Sequence, residues 1–431
     1  MKLAVQIRTT RKDGTWIISS IPVLILAVLI FISEVPIISR NVSNLVFYGL
    51  VGLLILFSLN PLLNMSRSKK YALLVVLAYF ALLFIYLVLH ISSAALSYYS
   101  TTVKFFVFML AMLMLLDHLS DRQKVFLLIV VFLTVGYTLV DNVRLFLRYG
   151  AVQYVSLFQR ERFTSNSINT QFTTALMLFS GVLLSCYLNI THKLLKFGSF
   201  MLFLFFTAFN VIIAQRVTNV ALSVLMISLL LLFNSKRSGG RVVLLLFVIA
   251  VLFFAMMNID AVLNYLEQIT SSVRIAKRIN QIRVYLQSGE LSEAGGSLNA
   301  RYNLIMQSLK TWSSSFESVV FGVGDHRINN NMIGNHSHFI DELARYGLVG
   351  MIVIIPTMIS VIRQVKETAG ITHSVRLKRH LSVILSVFII RGFLGGIFEA
   401  TIGIQLFIVI PIVFSMMDQW LTEIPLNGSY D

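Results

Sequence analysis

Apolar runs of membrane-crossing length recur from one end of this chain to the other, and they limit what it can fold into. A helix needs about 20 mainly apolar residues to cross a bilayer. By that criterion spans are expected near residues 16–32, 43–63, 71–89, 102–116, 125–140, 170–190, 197–213, 218–233, 242–257, 347–362, 381–398 and 402–417. The expectation is an all-α, polytopic membrane protein of about 12 transmembrane helices, with a large outer loop between spans 9 and 10. Composition agrees: 57% of the 431 residues are hydrophobic and 13% charged, against roughly 25% charged in a soluble domain. The basic start (Lys2, Arg8, Arg11, Lys12) ahead of 16–32 resembles a signal peptide, but Glu34-Val35-Pro36 stands where a small-residue cleavage site would be. An uncleaved first span is expected.

Loop charge sets the orientation. The N-terminus, Arg67-Ser68-Lys69-Lys70, Arg122 with Lys124, Lys193 with Lys196, Lys236-Arg237 with Arg241, and 363–379 fall on alternate sides of successive spans, as cytoplasmic loops should. Both termini are then inside, and loops 90–101 and 396–401, which carry no Lys or Arg, are outside. The chain divides into 1–257 (spans 1 to 9), an external loop 258–346 with short helices, and 347–431 (spans 10 to 12 and a cytoplasmic tail). The net charge of +16 fits such loops and contacts with anionic membrane lipids or phosphates better than nucleic acid, which is set aside as a partner.

Two outward segments break the charge rule. Residues 141–169, expected as a loop, hold Arg144, Arg148, Arg160 and Arg162 against Asp141 and Glu161. The long loop clusters Arg274, Lys277, Arg278 and Arg283 within ten residues. Snorkelling to headgroups accounts equally well for any one of them, but as a set they ask for an anion. Within the long loop, 260–286 has helical spacing of apolar residues with Arg274, Lys277, Arg278 and Gln281 on one face, the pattern of an amphipathic helix lying on the membrane. Gly289 and Gly295-Gly296-Ser297 interrupt it, and 298–312 is expected to start another helix with Arg301 in its first turn. No repeat relates the two halves of the chain, which weakens the case for a transporter built from inverted repeats.

Histidine is the side chain best suited to accept a proton at neutral pH, and His326, His336 and His338 lie within thirteen residues. His336 and His338 are two apart and would not share a helix face, so a joint metal site has little support. Cys186, the single cysteine, offers neither an internal disulfide nor a thiolate zinc site. No Asp-x-Asp pair occurs on the outer side, and no metal and no cofactor are expected. Arginine binds phosphate without metal, through a planar fork of donors that stays charged. Arg216 sits at the expected outer junction of spans 7 and 8, where an ionisable side chain is a candidate for function. Lys104 and Arg391 lie within spans; the first is read as snorkelling, the second as an internal structural ion.

His336-Ser337, nine residues, then Gly347-Leu348-Val349-Gly350 resembles the pattern of O-antigen ligases and the related Wzy-type polysaccharide polymerases, in which His precedes Asn, Ser or Gln and Gly-x-x-Gly follows. Three further stretches stand in the family's order: Arg162-Phe163-Thr164-Ser165-Asn166 with Asn169, Gln215-Arg216, and Arg301 upstream of Gly322-Val323-Gly324. The resemblance covers about 162–350. It implies a GT-C-like helical glycosyltransferase of the bacterial inner membrane, metal-independent, with its active site facing the periplasm or exterior. Its partners would be an undecaprenyl-diphosphate-linked oligosaccharide, a glycan acceptor and a chain-length regulator. By position, Arg216 and Arg301 would hold the diphosphate and His336 would be the acceptor's base. Substrate contacts are expected from Arg160, Arg162, Arg274, Arg278 and His338; Arg162 is a softer transfer because its stretch lacks the family's frequent Pro-Asn pair. A repeat-unit polymerase of O-antigen, capsule or exopolysaccharide is favoured over a ligase that transfers glycan to lipid A core. A flippase or transporter of the same lipid-linked glycan is the alternative of another class, although it would not need a long histidine-bearing outer loop.

Overall fold

The computed structural model describes residues 15–160, 170–210, 217–234, 296–324, 333–334 and 336–423. In chain order its helices are α1 (Thr15–Glu34), α2 (Pro36–Asn41), α3 (Asn44–Phe57), α4 (Leu59–Leu63), α5 (Arg67–Leu89), α6 (Ser93–Leu115), α7 (Asp121–Arg160), α8 (Thr170–Asn189), α9 (Lys193–Ala208) and α10 (Val217–Asn234). After these come α11 (Gly296–Trp312), α12 (Phe316–Phe321), α13 (His338–Ala369), α14 (Val375–Leu394), α15 (Ala400–Ile404) and α16 (Ile410–Glu423). Among the described residues there is no strand.

Among the described residues, six stretches are long and apolar enough to cross a membrane: Arg67–Leu89, Ser93–His118, Asp121–Arg148, Phe172–Asn189, His338–Ala369 and Ala400–Leu421. Ser20–Glu34, Asn44–Phe57 and Thr218–Asn234 are shorter apolar helices. The chain is thus an all-α membrane protein. Lipid offers backbone N–H and C=O groups no water, so an apolar run closes its hydrogen bonds on itself as a helix. Serines start several of these helices: Ser43, Ser66, Ser92 and Ser374 accept from the backbone N–H of Val46, Lys69, Ala95 and Leu377, supplying acceptors to donors that a first turn leaves unpaired.

Several boundaries differ from expectation: 43–63 is divided between α3 and α4, α6 begins at Ser93 and not near 102, and two further differences bear on the site. Residues 141–169 were expected as an outward loop, but α7 continues unbroken through Arg160, for 40 residues. At 1.5 Å per residue that is about 60 Å, twice the hydrocarbon thickness, and Arg144 and Arg148 are exposed on it. The charges end the apolar run, not the helix, because no proline follows Val140 before Arg160. The second difference is at the late span expected from Gly347, where helix begins at His338. Gly347 sits inside α13 at φ 62°, ψ −161°, dividing it into two helical pieces. The expected span 242–257 and the amphipathic segment 260–286 lie outside the described residues.

The core is built around α6, α8, α13 and α15 with its continuation. The α13 helix packs on α5, α11, α12 and α16; α6 on α15; α8 on α9, α10 and α14; α1 on α3 and α7. Phe105 lies 5.0 Å, ring to ring, from both Phe398 and Phe407. Between α15 and α16 a π-helical turn spans Gln405–Val409, and Gln405 donates to the fully buried Glu34 at 3.2 Å.

Candidate functional site

The break at Gly347 explains what the glycine-rich turn is for. Non-helical backbone there leaves the carbonyls just before it without their usual i+4 donors. Val323 N–H donates to Ala344 O at 3.0 Å and Gly324 N–H to Arg345 O at 2.8 Å. Gly322 and Gly324 hold φ values of 72° and 64°, a region that favours glycine. A Cβ on Gly322 would stand 2.2 Å from Arg345 O, and one on Gly347 would stand 2.4 Å from Val320 O. The Gly-Val-Gly turn and Gly347 therefore form one interlocked unit. The Tyr86 hydroxyl ties it to α5 by donating to Phe321 O, and the Tyr86 ring meets Tyr346 edge-on at 4.8 Å.

His336 stands two residues before α13, the helix that Gly347 divides. The chain before it crosses α11 so closely that a Cβ on Gly334 would lie 2.0 Å from Leu304 O. Gly334 N–H donates to Ser308 Oγ at 2.9 Å, Ser308 donates to Asp341 Oδ1 at 2.6 Å, and Ser337 N–H donates to Asp341 Oδ2 at 3.0 Å. His336 itself is exposed, with Nδ1 at 3.1 Å from Gly334 O. A carbonyl can only accept, so Nδ1 carries the hydrogen in this pairing, and in the neutral ring Nε2 keeps the lone pair. An exposed imidazole held this way can take a proton from a bound hydroxyl.

Beneath it lies a buried polar layer. His338 opens α13 at 6% exposure, its ring 4.2 Å from Phe398. Glu342 is fully buried; Tyr98 donates to it at 2.6 Å, Tyr79 at 3.4 Å and Arg345 Nη1 at 2.9 Å. The Arg345 guanidinium also lies 4.9 Å from the Tyr98 ring centre, a cation–π contact. Further along the same end of the bundle, Arg391 Nε donates to Thr174 Oγ1 at 3.1 Å and Asn219 Nδ2 to Thr173 Oγ1 at 2.6 Å.

The structure brings Gly334, two residues before His336, against α11, the helix that bears Arg301. Arg301 lies two turns before Ser308 on that helix; its side chain, like that of Arg160 at the end of α7, is outside the described residues. Arg162, Arg216, Arg274, Arg278 and His326 are also outside them. Arg216 is followed directly by α10, whose third residue is Asn219. His338 is packed inside rather than displayed beside His336. Lys104 is half-buried with Nζ 5.3 Å from the Phe47 ring centre, and Arg391 is an internal ion. Glu342, Arg345, Tyr98 and Ser308 did not stand out in the sequence, and Asp341 only as the end of the run 334–341 that resembles polymerases. One signal was available: Glu342 and Arg345, opposite charges at i,i+3, directly precede a span. No protein-family model matches the chain, and no curated protein matches it.

Proposed function

We propose that this protein is a membrane glycosyltransferase that polymerises lipid-linked glycan repeat units at the outer face of the bacterial inner membrane, with about 12 spans and a GT-C-like fold. The observation that carries the reading is His336: exposed, with an Nε2 lone pair to accept a proton when the ring is neutral, and paired with Gly334, which is itself tied to the helix that bears Arg301. In the reaction an acceptor-sugar hydroxyl attacks the anomeric carbon of the donor. The bond from that carbon to the diphosphate oxygen breaks with inversion, and the hydroxyl proton passes to His336 Nε2. The undecaprenyl diphosphate departs as an anion whose growing charge Arg216 and Arg301 offset, so the leaving group needs no proton.

The test is reconstitution of the purified protein with an undecaprenyl-diphosphate-linked repeat unit. The expected result is covalent polymer from wild type and a loss of about 10²–10⁴-fold in rate for His336→Ala, the usual contribution of a positioned general base. Movement of the lipid-linked unit across the bilayer without covalent product would instead identify a flippase. In cells that make lipopolysaccharide, loss of the polymerase leaves single repeat units on lipid A core. Polymer stranded on its lipid carrier would identify a ligase.

A further inference from the structure

We infer that Asp341 and Ser308 are positioning residues that hold His336 in register with the Arg301 helix; the inference rests on the reading of His336 as the acceptor's base. The two side chains join three separate pieces of chain. Ser308 belongs to α11, Asp341 to the first piece of α13, and Gly334 and Ser337 to the segment that carries His336. One Asp341 oxygen accepts from Ser308 at 2.6 Å and the other from Ser337 N–H at 3.0 Å, while Ser308 Oγ accepts from Gly334 N–H at 2.9 Å. His336 lies between these two fixed amides, and its Nδ1 pairs with the carbonyl of Gly334 itself.

Burial makes the tie consequential. Ser308, Ser337 and Asp341 are 0%, 1% and 4% exposed, so water cannot readily replace a lost bond, and a donor left behind bears the cost of an unmade hydrogen bond. Gly334 passes over the Leu304 carbonyl, one turn from Ser308 and one turn from Arg301. A shift of this segment would therefore move the base relative to the helix proposed to hold the diphosphate. Displacements of about 1 Å in such geometry cost on the order of 100-fold in rate. Asp341 touches neither reacting atom in this arrangement; it acts through the backbone on either side of His336.

The experiment compares Asp341→Asn, Ser308→Ala, the double variant and Ser308→Thr in the reconstituted polymerisation assay, with His336→Ala alongside. The expected result is a 10- to 100-fold fall in kcat with KM for the lipid-linked donor nearly unchanged, a double variant no worse than the poorer single, and recovery in Ser308→Thr, which keeps the hydroxyl. Modification of His336 by diethyl pyrocarbonate, read by mass spectrometry, should be faster in Asp341→Asn and Ser308→Ala because the imidazole is released from its pairing. If Asp341→Asn does not fold, Ser308→Ala, which removes one oxygen, decides. Wild-type kcat in Ser308→Ala while His336→Ala is inactive would overturn the tie and leave the base standing. Activity in His336→Ala would overturn the base; the tie then stands or falls on the modification rate.

Discussion

Glu342 and Arg345 form an ion pair of 2.9 Å, with side chains 0% and 7% exposed, at the end of the bundle that carries His336. Two charges drawn out of water are expensive, and only mutual attraction with further hydrogen bonds offsets the cost. Here Tyr98 and Tyr79 supply those bonds to the carboxylate. Removing one partner is predicted to be far worse than removing both. Arg345→Met should lower stability by about 3–5 kcal/mol by stranding Glu342, whereas Arg345→Met with Glu342→Gln should recover most of it. Thermal unfolding in detergent checks this; a double variant as unstable as the single would mean that the pair is not what holds this region.

Gly347 and Gly370 both have positive φ, 62° and 58°, yet they should respond differently to alanine. At Gly370, the C-cap of α13, the nearest atom to a new Cβ is Thr368 O at 3.8 Å, so only the left-handed conformation costs, about 1 kcal/mol. At Gly347 the Cβ would collide with Val320 O, Val320 C and Gly322 N within 2.6 Å. Backbone must move, and with it the bonds from Val323 and Gly324 to α13. Gly347→Ala is predicted to abolish activity and yield little folded protein, while Gly370→Ala stays near wild type in both. Equal effects would show that conformation alone decides at both glycines.

Much of the fold was legible because lipid imposes one solution on an apolar run, as the placement of α5 and α8 near their expected spans shows. What could not be read is where a helix goes after its apolar run ends. Charge terminates hydropathy but not hydrogen bonding, so α7 outlasts Val140 and α13 precedes Gly347. Of the candidate site, His336 could be singled out in the sequence, since an imidazole before a membrane segment is conspicuous. His338 was not, because its neighbour Phe398 is sixty residues away in the chain. Ser308 and Asp341 are ordinary residues locally and acquire a role only when α11 and α13 meet.

Arginine against lysine is the next test, and it bears on the proposed diphosphate contacts. A guanidinium offers a planar fork to phosphate, whereas an ammonium is a point charge. If Arg216 and Arg301 bind bidentately, Arg216→Lys and Arg301→Lys should fail nearly as badly as the alanine variants, by about 2–4 kcal/mol in kcat/KM. Turnover measured with the lipid-linked donor decides, and full activity in both lysine variants would reduce these side chains to headgroup anchors.

Orientation underlies the proposal, and the protein is well suited to a direct measurement. Cys186, the single cysteine, is buried, so variants with one added cysteine can be labelled with little background. Ser313, between α11 and α12, is exposed and belongs to the loop expected outside the membrane. Thr191, between α8 and α9, is exposed next to the basic residues Lys193 and Lys196. Short loops rich in Lys and Arg stay in the cytoplasm, so a membrane-impermeant maleimide should label Ser313→Cys in intact spheroplasts and Thr191→Cys only after lysis. The reverse pattern would put His336 in the cytoplasm, on the wrong side for a glycan assembled outside the cell membrane. The polymerase, ligase and flippase readings would not survive that result equally: a transporter still needs cationic residues along its path from either side, whereas both transferases would lose their substrate.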